Sequence, residues 1–324
     1  MKALLCTRLG GPDDLGVETL PDPVPAPGEA LVRVTLAALN FFDTLIIAGR
    51  YQVKPELPFS PGGEACGIVE ALGEGTTGVA IGDRVVVYAK FGTCAERIAV
   101  PAGTLVRVPD AVTDEQAAGL TITYGTTLHA LRDRARLQPG ETLAVLGASG
   151  GVGLAAVELG ALMGARVIAC ASSPDKLAVA EEHGAHDLVD YTKDNLREAL
   201  RTLTGGTGVD VVYDPIGGDH AEPALRSLAW KGRYLVIGFA AGEVPRIHLN
   251  LALLKGIDIQ GVHWGVFVER EPEAHRANQL QLLEWVAQSR LTAKVDSVHP
   301  LDDYVAALGI LQRREAMGKV LLRL

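Results

Sequence analysis

The segment VLGASGGVGLA, residues 145–155, sets Gly147, Gly150, Gly151 and Gly153 between two apolar runs. A turn alone needs one or two glycines, so four within seven residues imply that something lies close against bare backbone. Ahead of them TLAVLG reads as a buried strand, and behind them GVGLAAVELGALMG has the length and alanine content of a helix. At such a junction the amides around Ser149, Gly150, Gly151, Val152 and Gly153 open a helix whose unpaired N–H groups and dipole favour an anion. The spacing is G-x-G-x-x-G with Ala148 in the first place, which predicts a dinucleotide diphosphate at this turn.

The residues downstream bear on which dinucleotide binds. A site for NAD places Asp or Glu about 20 residues after the glycines, where the carboxylate takes the ribose 2′-hydroxyl. Nineteen residues after Gly153 stands Ser172, with Lys176 just beyond it and Tyr191 in LVDYTK. Two hydroxyls and an ammonium suit a 2′-phosphate, so NADPH is the expected cofactor. The bland alternative is that Ser172 and Ser173 cap a helix while Lys176 is an ordinary surface lysine, and Asp175 weakens the positive field.

The elements that hold these residues change character along the chain. Residues 1 to about 118 hold short β-type runs such as ALVRVTL, CGIVEAL, DRVVVY and ERIAV, separated by the proline-rich LPDPVPAPGEA and the glycine-rich LGEGTTGVAIGD. That pattern predicts an antiparallel, barrel-like domain. From Thr142 strand and helix alternate: TLAVLG, ARVIACA, DLVD, VDVVYD, RYLVIGF and IDIQGVHW make six strands with helical crossovers, enough for a complete doubly wound sheet. TKDNLREALRTLTGG reads as one helix, and SSPDKLAVAEEHG as another with Ser173 as N-cap, Pro174 first and Gly184 just beyond its end. The tail, 265–324, has two helices and a closing strand GKVLLRL, with no place in a sheet already complete. The expected domains are therefore 1–119 with 265–324, and 120–264.

Composition narrows the function classes. The net charge of −9 and the lack of a basic block argue against nucleic acid, and no apolar run reaches the 18 or so residues of a membrane span. Four dispersed cysteines without CxxC spacing fit a reducing cytoplasm. The opening MKALLCTRLGG is too short in its apolar part for a secretory signal.

A barrel-like domain, a six-stranded nucleotide domain and a returning tail resemble the medium-chain dehydrogenase/reductase superfamily along essentially the whole chain. ALNFFDTLIIAGRY, LPFSPGGEACGIVEALGEG, TYGTTLHAL, GASGGVG and YLVIGFA resemble its zinc-free quinone oxidoreductase branch, which includes zeta-crystallin. The resemblance implies a GroES-like β-barrel catalytic domain beside a Rossmann domain. It implies that Asn40 and Thr126 lie near a nicotinamide, and that backbone at Phe239 and at His263–Trp264 grips its carboxamide.

The catalytic zinc ligands of related alcohol dehydrogenases align with Asn40, Gly63 and Ile122, none a thiolate or imidazole, so no metal is expected. Without a Lewis acid, hydride transfer suits an acceptor activated by its own conjugation. The expected substrate is a quinone, with an enone, enal or enoyl thioester as the alternative. A third possibility is an NADPH-binding structural or regulatory protein. Tyr51 aligns with a tyrosine that assists proton delivery in related reductases, with a loop aromatic covering the cleft as the alternative reading. Asp43 is retained from the zinc enzymes and is more readily structural than catalytic. The last strand of the nucleotide sheet, 257–264, reads as a long apolar edge, and in this family that strand pairs with its twin, so a homodimer is expected.

Overall fold

A computed structural model describes residues 1–324. In chain order the strands are β1 (Lys2–Cys6), β2 (Leu15–Thr19), β3 (Glu29–Leu39), β4 (Glu64–Leu72), β5 (Arg84–Tyr88), β6 (Arg97–Pro101), β7 (Val106–Arg107), β8 (Thr142–Leu146), β9 (Arg166–Ala171), β10 (Asp187–Asp190), β11 (Val209–Asp214), β12 (Leu228–Val236), β13 (Asp258–Gly261), β14 (Val295–Pro300) and β15 (Lys319–Arg323). The helices are α1 (Phe41–Ile47), α2 (Asp114–Ala118), α3 (Thr121–Leu128), α4 (Gly151–Leu162), α5 (Pro174–Glu182), α6 (Leu196–Leu203), α7 (Ala221–Arg226), α8 (Asn250–Lys255), α9 (Trp264–Arg270), α10 (Pro272–Ala287) and α11 (Tyr304–Gln312). They divide into two compact units, Met1–Ile122 with Pro272–Leu324, and Thr123–Glu271.

The first unit is organised by β3. Its first half pairs with β6 and its second half with β15, while β4 runs along its other side, all antiparallel. Ala30, Val32 and Val34, alternate residues of β3, point into a core shared with Leu4, Ile46 and Val85. The sheet order is β14-β15-β3-β4-β5-β7. β14 and β15 pair in parallel because α11 crosses between them, as a parallel connection requires. GKVLLRL thus ends the chain beside β3.

The second unit is a parallel sheet in the order β10-β9-β8-β11-β12-β13. Successive strands step one way from β8 and then the other, so the connections diverge at the carboxyl end of β8, where α/β sheets bind ligands. Residues Leu143 to Leu146 and Val167 to Ala171 are fully buried or nearly so, which is why both strands read as unbroken apolar runs. Ser173 Oγ accepts from Lys176 N at 3.4 Å at the head of α5, and Gly184 adopts a left-handed φ of +105° beyond its end.

The tail carries α9 and β14 besides the two expected helices and the closing strand, and two further elements differ from the sequence expectation. α6 starts only at Leu196, because Asp190 Oδ1 turns the chain by accepting from Thr192 N and Oγ1, and Asn195 then caps the helix. The edge strand β13 has four residues rather than the eight of 257–264. It stops because His263 caps α9, its ring nitrogen accepting from Val266 N at 3.3 Å. No helix is long and apolar enough to cross a membrane.

Candidate nucleotide site and buried polar cluster

At the carboxyl end of β8 the chain reverses through Gly147, whose φ of +60° suits glycine. Gly150 N donates to Gly147 O at 3.1 Å, and Ala148 N ties the turn to β9 through Cys170 O at 3.2 Å. Gly150 is the N-cap of α4, and Leu154 N makes the first helical bond, to Gly150 O at 2.7 Å. The amides of Gly151, Val152 and Gly153 precede that bond, as at any helix start, and with the dipole they make an anion cradle. Gly153 is required by close approach: a Cβ there would lie 2.8 Å from the Gly147 carbonyl carbon and 3.0 Å from Ala148 Cα. Ser149 is buried within the same turn.

Beside the cradle, the end of β9 supplies Ser172. Lys176 Nζ donates to Ser172 Oγ at 3.2 Å, and the backbone N of Tyr191 donates to Ala171 O at 3.2 Å, which brings the end of β10 to the end of β9. The only carboxylate at the end of β10, Asp190, is engaged by Thr192 and by Lys193 Nζ at 3.1 Å. The Tyr191 ring lies 4.4 Å from His220, a neighbour that the sequence did not single out. The Ser172 hydroxyl and the Lys176 ammonium, at a strand end tied to the glycine turn, fit a phosphorylated dinucleotide.

Asp214, buried at the end of β11, shapes the next loop. Its Oδ1 accepts from Ile216 N at 2.7 Å and Gly217 N at 2.9 Å, and its Oδ2 accepts from Tyr234 OH. Burial and the Asp214 carboxylate drive the Tyr234 phenol far above its ordinary range. Phe239 is partly exposed in the following turn, which is pinned by Ala240 N to Pro215 O at 3.0 Å. Thr126 is buried on α3 and Trp264 is buried in the first turn of α9. His263 spends its side chain on capping α9.

In the first unit, Asn40 sits at the head of α1 and joins a cluster of fully or nearly buried polar groups. Its Nδ2 donates to Glu64 Oε1 at 3.0 Å, and its Oδ1 accepts from Lys319 Nζ at 2.7 Å. Asp43 accepts from Asn40 N at 2.7 Å and from Gly62 N at 3.2 Å, so it staples α1 to the segment ahead of β4. Tyr51 stacks on Phe42 with ring centroids 5.5 Å apart, and burial followed by the Asp43 charge raises its phenol. Glu64 and Lys319 were not legible as site residues. A lone lysine in the apolar GKVLLRL was the available signal, since lysine is almost never fully buried unless paired. The positions aligned with zinc ligands gather here too: a Cβ on Gly63 would lie 3.0 Å from Ile122 Cδ1. An amide already committed to Glu64 and Lys319, a glycine and an isoleucine do not fit Zn²⁺.

Burial pushes Asp43 up to about 7 against the pull of both amides and Lys319. Between the ordinary carboxylate range and that value the native state holds a proton the unfolded chain has released. Stability therefore falls as pH rises through this window, by roughly 4 kcal/mol in all. Asp43→Asn carries no charge on either side and is expected to lack this component. Urea titrations at about pH 5 and pH 8 measure it, and equal pH slopes in both proteins would contradict it.

Residues 26–110 match the alcohol dehydrogenase GroES-like domain family, and residues 151–280 the zinc-binding dehydrogenase family. The chain is 37% identical over 324 residues to quinone oxidoreductase-like protein 2 of Rattus norvegicus, covering all of this chain and 92% of that one. The structure of Escherichia coli quinone oxidoreductase complexed with NADPH superposes with a TM-score of 0.94 at 29% identity, covering 100% of both chains. That of the Thermus thermophilus quinone oxidoreductase, also solved with NADPH, gives 0.87 at 33% identity, again over 100% of both. With a GroES-like unit, a six-stranded nucleotide sheet and no ligand set at Asn40, Gly63 and Ile122, the chain belongs to the zinc-free quinone oxidoreductase branch of the medium-chain dehydrogenase/reductase superfamily.

Proposed function

We propose that this protein is a metal-independent reductase that uses NADPH to reduce a quinone. The observation that carries the reading is the meeting of Lys176 Nζ with Ser172 Oγ at the end of β9, the strand that the glycine turn is tied to, with a serine where an NAD site would place a carboxylate. Bound NADPH supplies a hydride, which with one proton takes a quinone to its hydroquinone. The amides of Gly151, Val152 and Gly153 hold the diphosphate, and Ser172, Lys176 and Tyr191 take the 2′-phosphate. Thr126 and the backbone at Phe239, His263 and Trp264 orient the nicotinamide end, and Asn40 belongs to the acceptor side.

A conjugated carbonyl is the second reading, and Tyr51 favours it. A half-buried phenol held protonated by burial and by Asp43 can hydrogen-bond a carbonyl and return a proton after the hydride. The test is an NADPH-oxidation screen over quinones, enones and enoyl thioesters, with NADH and a chelator as controls. Turnover with quinones, undiminished by chelator, supports the first reading. NADPH binding without oxidation by any acceptor would leave a structural or regulatory role.

We also propose a homodimer formed through β13. That strand is a sheet edge with Ile259 partly exposed, and Leu249, Leu253 and Trp230 nearby are 80%, 80% and 68% exposed. An unpaired edge with apolar neighbours favours self-association. Sedimentation at micromolar concentration should return twice 34.1 kDa, and a monomer would end the proposal.

A further inference from the structure

A buried ion pair lies at the centre of the first unit's polar cluster. Lys319 is 3% exposed and Glu64 fully buried, with Nζ and Oε1 2.7 Å apart. The ammonium also donates to Asn40 Oδ1 at 2.7 Å and to Leu39 O at 3.1 Å, so its three hydrogens are all engaged. Glu64 answers with Oε2, which accepts from Ile122 N at 2.7 Å. Each of these bonds lies within the unit, and Lys319 and Glu64 are 255 residues apart in the chain.

The strand that delivers Lys319 has no packing need for a charge. Val320, Leu321 and Leu322 beside it are fully buried, and an apolar residue in the same place would avoid desolvating an ammonium. The cation is instead spent on Glu64 and on Asn40, one of the three positions that align with zinc ligands in metal-dependent relatives. Asn40 has both ends of its amide committed, Oδ1 to Lys319 and Nδ2 to Glu64, so its plane cannot flip without breaking two bonds. Asp43 faces the same cluster: Lys319 draws it toward the carboxylate, Glu64 opposes that, and Cys94 and Tyr51 feel its charge in turn.

We propose that Lys319 is a positioning residue for the reductive site, which together with Glu64 locks the Asn40 amide in one orientation. The proposal rests on the reading of this unit as the acceptor side. It assigns a role to Lys319 and Glu64 beyond holding β15 in the sheet.

The test compares wild type with Lys319→Met/Glu64→Gln, which removes both charges together and leaves an acceptor for Ile122 N, and with Lys319→Arg, which keeps the cation. In the double variant kcat for NADPH oxidation is expected to fall about tenfold or more, with the Kd for NADPH within about twofold of wild type. Lys319→Arg is expected to retain a kcat at least about threefold above that of the double variant. Side-chain amide hydrogen exchange at Asn40, followed by NMR, should quicken in the double variant only. A double variant with wild-type kcat and wild-type exchange at Asn40 overturns the proposal. If wild type oxidises no NADPH, the reductase reading fails by itself, and the exchange measurement still decides whether Lys319 and Glu64 lock Asn40.

Discussion

Gly153→Ala is expected to abolish measurable NADPH binding and to destabilise the protein by about 3 kcal/mol, the upper part of the overpacking range. The added methyl would lie inside contact distance of Gly147 O, the Gly147 carbonyl carbon and Ala148 Cα. All three are backbone atoms of the turn that makes the cradle, so no side-chain rotamer relieves the clash. α4 cannot move away cheaply either, because Leu154, Ala155, Ala156, Val157 and Leu159 bury their side chains. A shift of even half an ångström takes the first-turn amides off their anion, and charge-assisted bonds of about 1.5–3 kcal/mol each are lost. Gly150→Ala is the control for stability alone, since Gly150 also borders the diphosphate. Its nearest non-neighbouring atom would be Gly147 O at 3.6 Å, ordinary contact, so the methyl finds room. Thermal unfolding of the two variants and NADPH fluorescence titration of Gly153→Ala decide the matter; equal melting temperatures would mean that the close approach does not govern the turn.

Ser172→Asp with Lys176→Ala is expected to invert the coenzyme preference, changing the NADPH/NADH ratio of kcat/KM by about a thousandfold, or roughly 4 kcal/mol. Lys176 Nζ stands 3.2 Å from Ser172 Oγ, so an ammonium and a hydroxyl address one point at the end of β9. Deleting the ammonium removes one charge-assisted contact to a 2′-phosphate, worth about 1.5–3 kcal/mol. Adding a carboxylate at 172 sets like charge against that phosphate and offers an acceptor to a ribose 2′-hydroxyl. Ser173 remains to cap α5, so the fold should be undisturbed. The effect should weaken as salt is added, because the contact is electrostatic. Steady-state kinetics with both coenzymes at two ionic strengths is the measurement, and an unmoved ratio would take the 2′-phosphate away from these residues.

The sequence alone determined the features that arise over short stretches of chain. The glycine turn, the cap and stop of α5 and the apolar runs of β8 and β9 depend on neighbours within about a dozen residues, where turn chemistry and periodicity act. The alternation of strand and helix likewise implied the six-stranded sheet. IDIQGVHW is instructive: its apolar residues read as one long strand, yet a single capping histidine hands the last of them to α9. Burial pattern alone does not separate a strand end from a helix start.

Only the tertiary structure decided the polar cluster. Asn40 was visible through the resemblance, but Glu64 and Lys319 reach it from β4 and from the last strand, along a path that exists only once the tail has paired with β3. Asp214 and Tyr234 meet in the same way, across two adjacent parallel strands. Local sequence sets backbone geometry because its causes are steric and near at hand. The partner of a buried charge is chosen by strand order and register, which emerge from the packing of the whole unit.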